Sequence, residues 1–74
     1  MSNIPALKPV ASSMIIEAGY NSNTRELFVR FSGGKLYSYA DVPQSEYENM
    51  IAADSAGKYL NSNIKPVYSA TLVS

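Results

Sequence analysis

The chain contains no cysteine and no histidine. Without cysteine no disulfide can staple the fold, and without either residue a zinc site of the ordinary ligand type is excluded. The same absences remove the side chains that most often serve as nucleophile and general base near neutral pH. Net charge is absent too, because six basic and six acidic side chains cancel. The strong positive field that usually drives non-specific nucleic-acid binding is therefore missing. No apolar run approaches the roughly twenty residues of a membrane-spanning helix. Residues 1–10 lack the long apolar core of a signal peptide. These absences predict a cytoplasmic, non-enzymatic protein with no metal, no cofactor and no membrane partner. The lack of cysteine fits a reducing compartment.

What is present is small and aromatic. Seventy-four residues make one domain at most, and a chain of this size buries only about 60% of its unfolded surface. Natural domains of this length often add a disulfide, a metal or a partner chain. With the first two excluded, 46% hydrophobic residues must form the core, and self-association into a homo-oligomer is expected. Residues 1–11 hold Pro5 and Pro9 without a clean period and read as an extended N-terminal arm, leaving 12–74 as the domain.

Met14 to Tyr20 is apolar and β-branched at its centre and predicts the first strand. Asn21 to Thr24 reads as a turn by composition. Leu27, Val29 and Phe31 then alternate onto one strand face, with Glu26, Phe28 and Arg30 on the other. Tyr37 and Tyr39 share a face on the next strand. A two-residue Gly33-Gly34 loop would pair Phe31 with Leu36. A three-residue Ser32-Gly33-Gly34 loop would pair Val29 with Tyr37 and Leu27 with Tyr39, with Gly34 in the left-handed position of a G1 bulge. The second register is preferred, because it gathers five large side chains on one buried face and leaves Ser38 outside.

Proline at position 43 suits the first turn of a helix, while Ser45 and Glu48 offer a capping box as the alternative. Tyr47, Met50 and Ile51 follow helical spacing and are expected to face the sheet. Ser55 is a fresh N-cap, and Tyr59, Leu60 and Ile64 are the apolar positions of a second short helix that Pro66 ends. Val67 to Val73 is β-prone and offers a short fourth strand. The expected fold is α+β: a three-stranded antiparallel meander packed by two short C-terminal helices.

The ordered set Ser12-Ser13, Gly19-Tyr20, Leu27-x-Val29-x-Phe31, Gly34, Tyr37-Ser38-Tyr39, Val42-Pro43 and Tyr47 resembles the KTSC domain. The likeness continues through Ala53-Asp54-Ser55, Gly57, Tyr59, Asn61, Ile64-Lys65 and Tyr68, and so spans Ser12 to Tyr68. The resemblance implies a module found at the C-terminus of some lysyl-tRNA synthetases and in small stand-alone bacterial and phage proteins. It also implies RNA or tRNA as a partner, from that context. Phe28 and Ser38 stand at outward strand positions, where polar or charged residues are expected.

Asp54-Ser55-x-Gly57-Lys58 superficially suggests a phosphate cradle at a helix N-terminus, but it lacks the spacing of the phosphate-binding loop. A capped helix start is the simpler reading. Six tyrosines in so short a chain can fill a core with the hydroxyl kept bonded or wet, or stack on unpaired bases beside cations. Tyr37, Tyr39 and Gly34 read as structural, as do Ser55 and Gly57. Arg30, Lys58, Tyr59, Lys65 and Tyr68 are the candidate ligand-binding residues. The function expected is a non-catalytic module binding RNA or a nucleotide-containing ligand; the alternative is a protein-interaction or self-assembling accessory protein.

Overall fold

The computed structural model describes residues 4–10 and 12–74. Five strands form one antiparallel sheet in sequence order: β1 (Lys8–Pro9), β2 (Ile15–Asn21), β3 (Glu26–Phe31), β4 (Leu36–Tyr39) and β5 (Ala70–Leu72). Between β4 and β5 lie α1 (Gln44–Ala52) and α2 (Ala56–Tyr59), and α2 runs on into a π-helical turn, Leu60–Ile64.

The β3–β4 hairpin adopts the three-residue loop. Val29 pairs with Tyr37 and Leu27 with Tyr39. The Phe31 amide donates to the Lys35 carbonyl at 2.9 Å, and Gly34 sits at φ +96°. A residue with a Cβ strains there, which is why the turn takes glycine. The alternation of β3 and β4 then delivers Leu27, Val29, Tyr37 and Tyr39 to the helix side of the sheet, where Leu27, Val29 and Tyr39 join Ile15, Met50, Leu60 and Ile64 in the core. Each fully buried aliphatic side chain of this kind contributes about 1.5–3 kcal/mol.

Tyrosine also anchors α1. The Tyr47 ring stacks on Tyr20 with centroids 5.7 Å apart, and the Tyr20 hydroxyl donates to the Val42 carbonyl at 2.5 Å. This places α1 over the β2 side of the sheet. Ile51, expected to face inward, is instead 48% exposed. Contact with the sheet runs along the Tyr47–Met50 stripe, and Ile51 is turned about 100° from Met50, beyond the sheet's cover. Pro43 is the N-cap residue rather than the first helical one, and makes no side-chain cap bond. Because α1 already begins at Gln44, Ser45 lies inside the helix and the alternative capping box does not form. Ser55 caps α2 as its sequence suggests, accepting a bond from the Lys58 amide at 3.3 Å.

The second face of the sheet corrects two expectations. Phe28 and Ser38 were expected to point to solvent, yet they are 4% and 8% exposed. The described part of the arm explains why. Lys8 and Pro9 pair with Ala18 and Glu17 as the edge strand β1, and the residues before them cross Gly19, the partner of Phe28. A Cβ at Gly19 would lie 2.8 Å from the Ala6 carbonyl oxygen and 2.9 Å from Leu7 Cδ2. Glycine lets the arm lie flat against the sheet beside Phe28. Residues 1–3 and 11 of the expected arm lie outside the described residues. The sheet thus has five strands rather than three with a possible fourth: β5 falls within the β-prone Val67 to Val73 segment, and the arm supplies the other strand.

Candidate functional site

Helices α1 and α2 cover only part of the sheet's helix-side face. Toward β4 and β5 that face stays open, and a cleft of about 600 Å³ forms there. Its floor is Tyr37 and Tyr39 of β4 with Phe31 of β3, and Ala70 of β5 closes one side. Lys65 and Tyr68, which follow the π-helical turn, form the opposite wall, while Gly33 and Lys35 come from the hairpin loop end.

The π-helical turn positions that wall. The Lys65 amide donates to the Leu60 carbonyl at 2.8 Å, a five-residue step, and the Tyr68 amide donates to the Ile64 carbonyl at 2.9 Å. Leu60 and Ile64 remain buried four residues apart, so the wider turn changes the direction of the chain after Ile64 without withdrawing its apolar anchors. The Lys65 ammonium consequently lies 5.7 Å from the centroid of the Phe31 ring, in cation–π range. Phe31 in turn meets Tyr37 edge-on, with centroids 5.6 Å apart and planes at 78°. Such π-helical insertions are frequent at functional sites.

The cleft's charge has one sign. Lys35 and Lys65 line it, and none of the chain's six acidic residues does. Burial pushes the Tyr39 phenol above its ordinary value, and the neighbouring Tyr37 adds to the shift. Tyr39 therefore stays a neutral part of the cleft floor through the physiological range. Among the described residues no cluster of carboxylates is placed to hold a metal ion.

Of the five residues singled out from the sequence for ligand binding, the structure brings Lys65 and Tyr68 together and separates the other three. Arg30 lies on the opposite face, where its Nε is 2.9 Å from Glu17 Oε2 and its Nη1 donates to the Gly34 carbonyl at 2.8 Å. It braces the hairpin turn. Lys58 and Tyr59 line a separate, shallower groove with Asp54, Ser62 and Asn63. The Tyr59 hydroxyl donates to Glu46 Oε1 at 2.5 Å and so ties α2 to α1; that bond is the main cause of its raised pKa. Ser55 spends its hydroxyl on the helix cap. Gly57 is buried where a Cβ would come within 2.9 Å of Met14 Sδ. Both residues serve helix packing, as the capped-start reading of Asp54 to Lys58 expects.

Sequence reasoning placed Phe31 and Tyr37 in the core and did not foresee that they also face a cleft. The only available signal was the adjacency of Lys65 to the apolar position Ile64, and that does not reveal the five-residue turn.

A sequence model of the KTSC domain matches residues 11–68. The chain is 39% identical over 64 residues to a protein of Tsukamurella paurometabola, covering 86% of this chain and 96% of that one. It is 38% identical over 61 residues to a lysine–tRNA ligase of Nostoc punctiforme, covering 82% of this chain but only 11% of the ligase. A crystal structure of a KTSC domain protein from Yersinia pestis matches the fold with a TM-score of 0.86 at 30% identity, over 93% of this chain and 97% of that one.

Proposed function

The chain belongs to the KTSC domain family, and we propose that it is a non-catalytic module that binds single-stranded RNA in the cleft between β4–β5 and the Lys65–Tyr68 wall. The observation that carries this reading is the lining itself: Phe31, Tyr37 and Tyr68 beside Lys35 and Lys65, without a carboxylate. Unpaired bases need flat aromatic partners and the backbone needs fixed cations. On a chain of zero net charge, local segregation of charge substitutes for a global positive field. Lysine–tRNA ligases, which act on an RNA by name, carry a similar segment as 11% of their length, and that context favours RNA over other anions.

The test is fluorescence anisotropy with a labelled single-stranded RNA and with tRNA at low salt. Wild-type protein binds, and binding weakens as salt rises because phosphate contacts release counterions. Lys35→Glu combined with Lys65→Glu abolishes binding and leaves the circular dichroism spectrum unchanged. No binding of wild-type protein to either RNA removes this reading.

One observation favours a protein partner as a second reading. The sheet's two edges differ. β1 carries Lys8 and Pro9, both of which discourage strand addition. β5 and its flanks, from Pro66 to Ser74, carry no charged side chain, and Leu72 is exposed. Strand addition at β5, by a second copy or another protein, predicts a dimer at micromolar concentration by sedimentation. Leu72→Pro, at a position whose amide points away from β4, would abolish such a dimer, and a monomer at all concentrations removes self-pairing.

A further inference from the structure

We infer that the cleft is a one-nucleotide pocket: it takes a single unpaired base together with that base's own phosphate, so a free nucleoside 5′-monophosphate is a ligand in its own right. The inference rests on the reading of the cleft as an RNA site and narrows what that site grips. Three features lead to it.

The first is the number of free ring faces. Tyr39 is 2% exposed and offers the cleft little of its ring. The Phe31 ring already has the Lys65 ammonium over it. Tyr37 stands nearly perpendicular to Phe31, so the two rings do not form one continuous platform. Faces for stacking therefore remain on Tyr37 and Tyr68, one on the floor and one on the wall. That arrangement suits a single planar ring, whereas a run of stacked bases needs a row of aromatic side chains.

The second is the placement of charge. Lys65 is an exposed residue whose ammonium lies beside the aromatic floor, 5.7 Å from the Phe31 centroid. A base lying on Tyr37 or Tyr68 brings its own 5′-phosphate within the range of Lys65 or Lys35. A neutral flat molecule would leave that charge unused, and a bare anion would leave the rings unused.

The third is size. A volume of about 600 Å³ lies within the roughly 300–1,000 Å³ usual for small-molecule sites. A base pair within a duplex presents only its edges and cannot lie on these rings without leaving the stack. The pocket therefore selects single strands over duplexes by shape, with no base-specific contact required.

The test is a titration of full-length protein with uridine 5′-monophosphate, followed by amide NMR, beside titrations with uridine, inorganic phosphate and an oligouridine. The monophosphate should shift the amides of Gly33, Lys35, Tyr37, Tyr68 and Ala70 saturably. Uridine and phosphate alone should each bind at least about tenfold more weakly, since each uses half the site. Lys35→Gln combined with Lys65→Gln should bring the monophosphate down to the affinity of uridine and leave uridine unchanged. Tyr68→Leu, which keeps an apolar side chain against the core but removes the ring, should weaken both.

Saturable shifts confined to other surfaces, or none, overturn the inference. If the oligouridine still binds in that case, the RNA reading survives and a longer footprint replaces the pocket. Binding of phosphate as tight as that of the monophosphate also overturns it, because the rings would then contribute nothing. Binding of the monophosphate without the oligouridine keeps the pocket and removes the RNA reading.

Discussion

Tyr39 shows how one residue serves both the core and the cleft. Its ring fills the space opposite Leu27 and is 2% exposed. Truncation to alanine leaves a large cavity, and Tyr39→Ala should cost on the order of 3 kcal/mol by chemical denaturation; a loss below about 0.5 kcal/mol would place the ring outside the core. Its raised pKa has a direction in pH. The folded state holds the phenol proton more tightly than the unfolded chain does. The associated stability is complete below the ordinary value of 10.0 and is lost as pH rises through the higher folded value. Denaturation midpoints should therefore fall above pH 10, and Tyr39→Phe should flatten that fall. An unchanged alkaline limb in Tyr39→Phe would contradict the assignment. At the hairpin, Gly33 and Gly34 both have open space around them, but only Gly34 has a positive φ. Gly34→Val should destabilise by about 1–2 kcal/mol while Gly33→Val is nearly neutral; equal losses in thermal melts would argue for a different turn.

Among the elements, those written in local pattern were legible. The alternation of Leu27, Val29, Phe31, Tyr37 and Tyr39 specifies a hairpin and its register, because a one-residue slip would turn the whole set to the other face. Ser55 announces α2 through a hydroxyl that has one local use. Two elements were not legible, and each depends on distant contact. Strand β1 is only Lys8 and Pro9, too short for a period and containing a residue that strands avoid. It exists because β2 offers an edge and Gly19 offers room. The five-residue step at Leu60–Ile64 follows from tertiary fit and has no signature in the sequence. The close approach at Gly19 carries its own prediction. Gly19→Ala forces the Ala6 carbonyl oxygen away from a 2.8 Å clash, lifts the arm and uncovers Phe28. Limited proteolysis should cut within residues 4–10 faster in the variant, and dye binding to exposed apolar surface should rise; identical cleavage rates would show that the arm does not depend on that contact.

For the molecule as a whole, the sequence reported a net charge of zero and a surplus of tyrosine, and neither sum says where the charges and rings meet. Lys65 and Tyr68 stand three positions apart and were legible as neighbours. Phe31, Tyr37 and Lys35 join them only because the chain returns as β5 and leaves the β4 side of the sheet uncovered by helix. Arg30 and Tyr59 were drawn away by Glu17 and Glu46, partners that no spacing rule connects to them. The RNA site proposed above is this cleft and not the Lys58–Tyr59 groove or the Arg30 face. Photocrosslinking with a single-stranded RNA carrying 4-thiouridine, followed by mass spectrometry of the linked peptides, reads the site directly. Crosslinks are expected at Tyr37 and Tyr68, suppressed by free uridine 5′-monophosphate. Crosslinks concentrated at Arg30 or Tyr59, with none in the cleft, would contradict that placement.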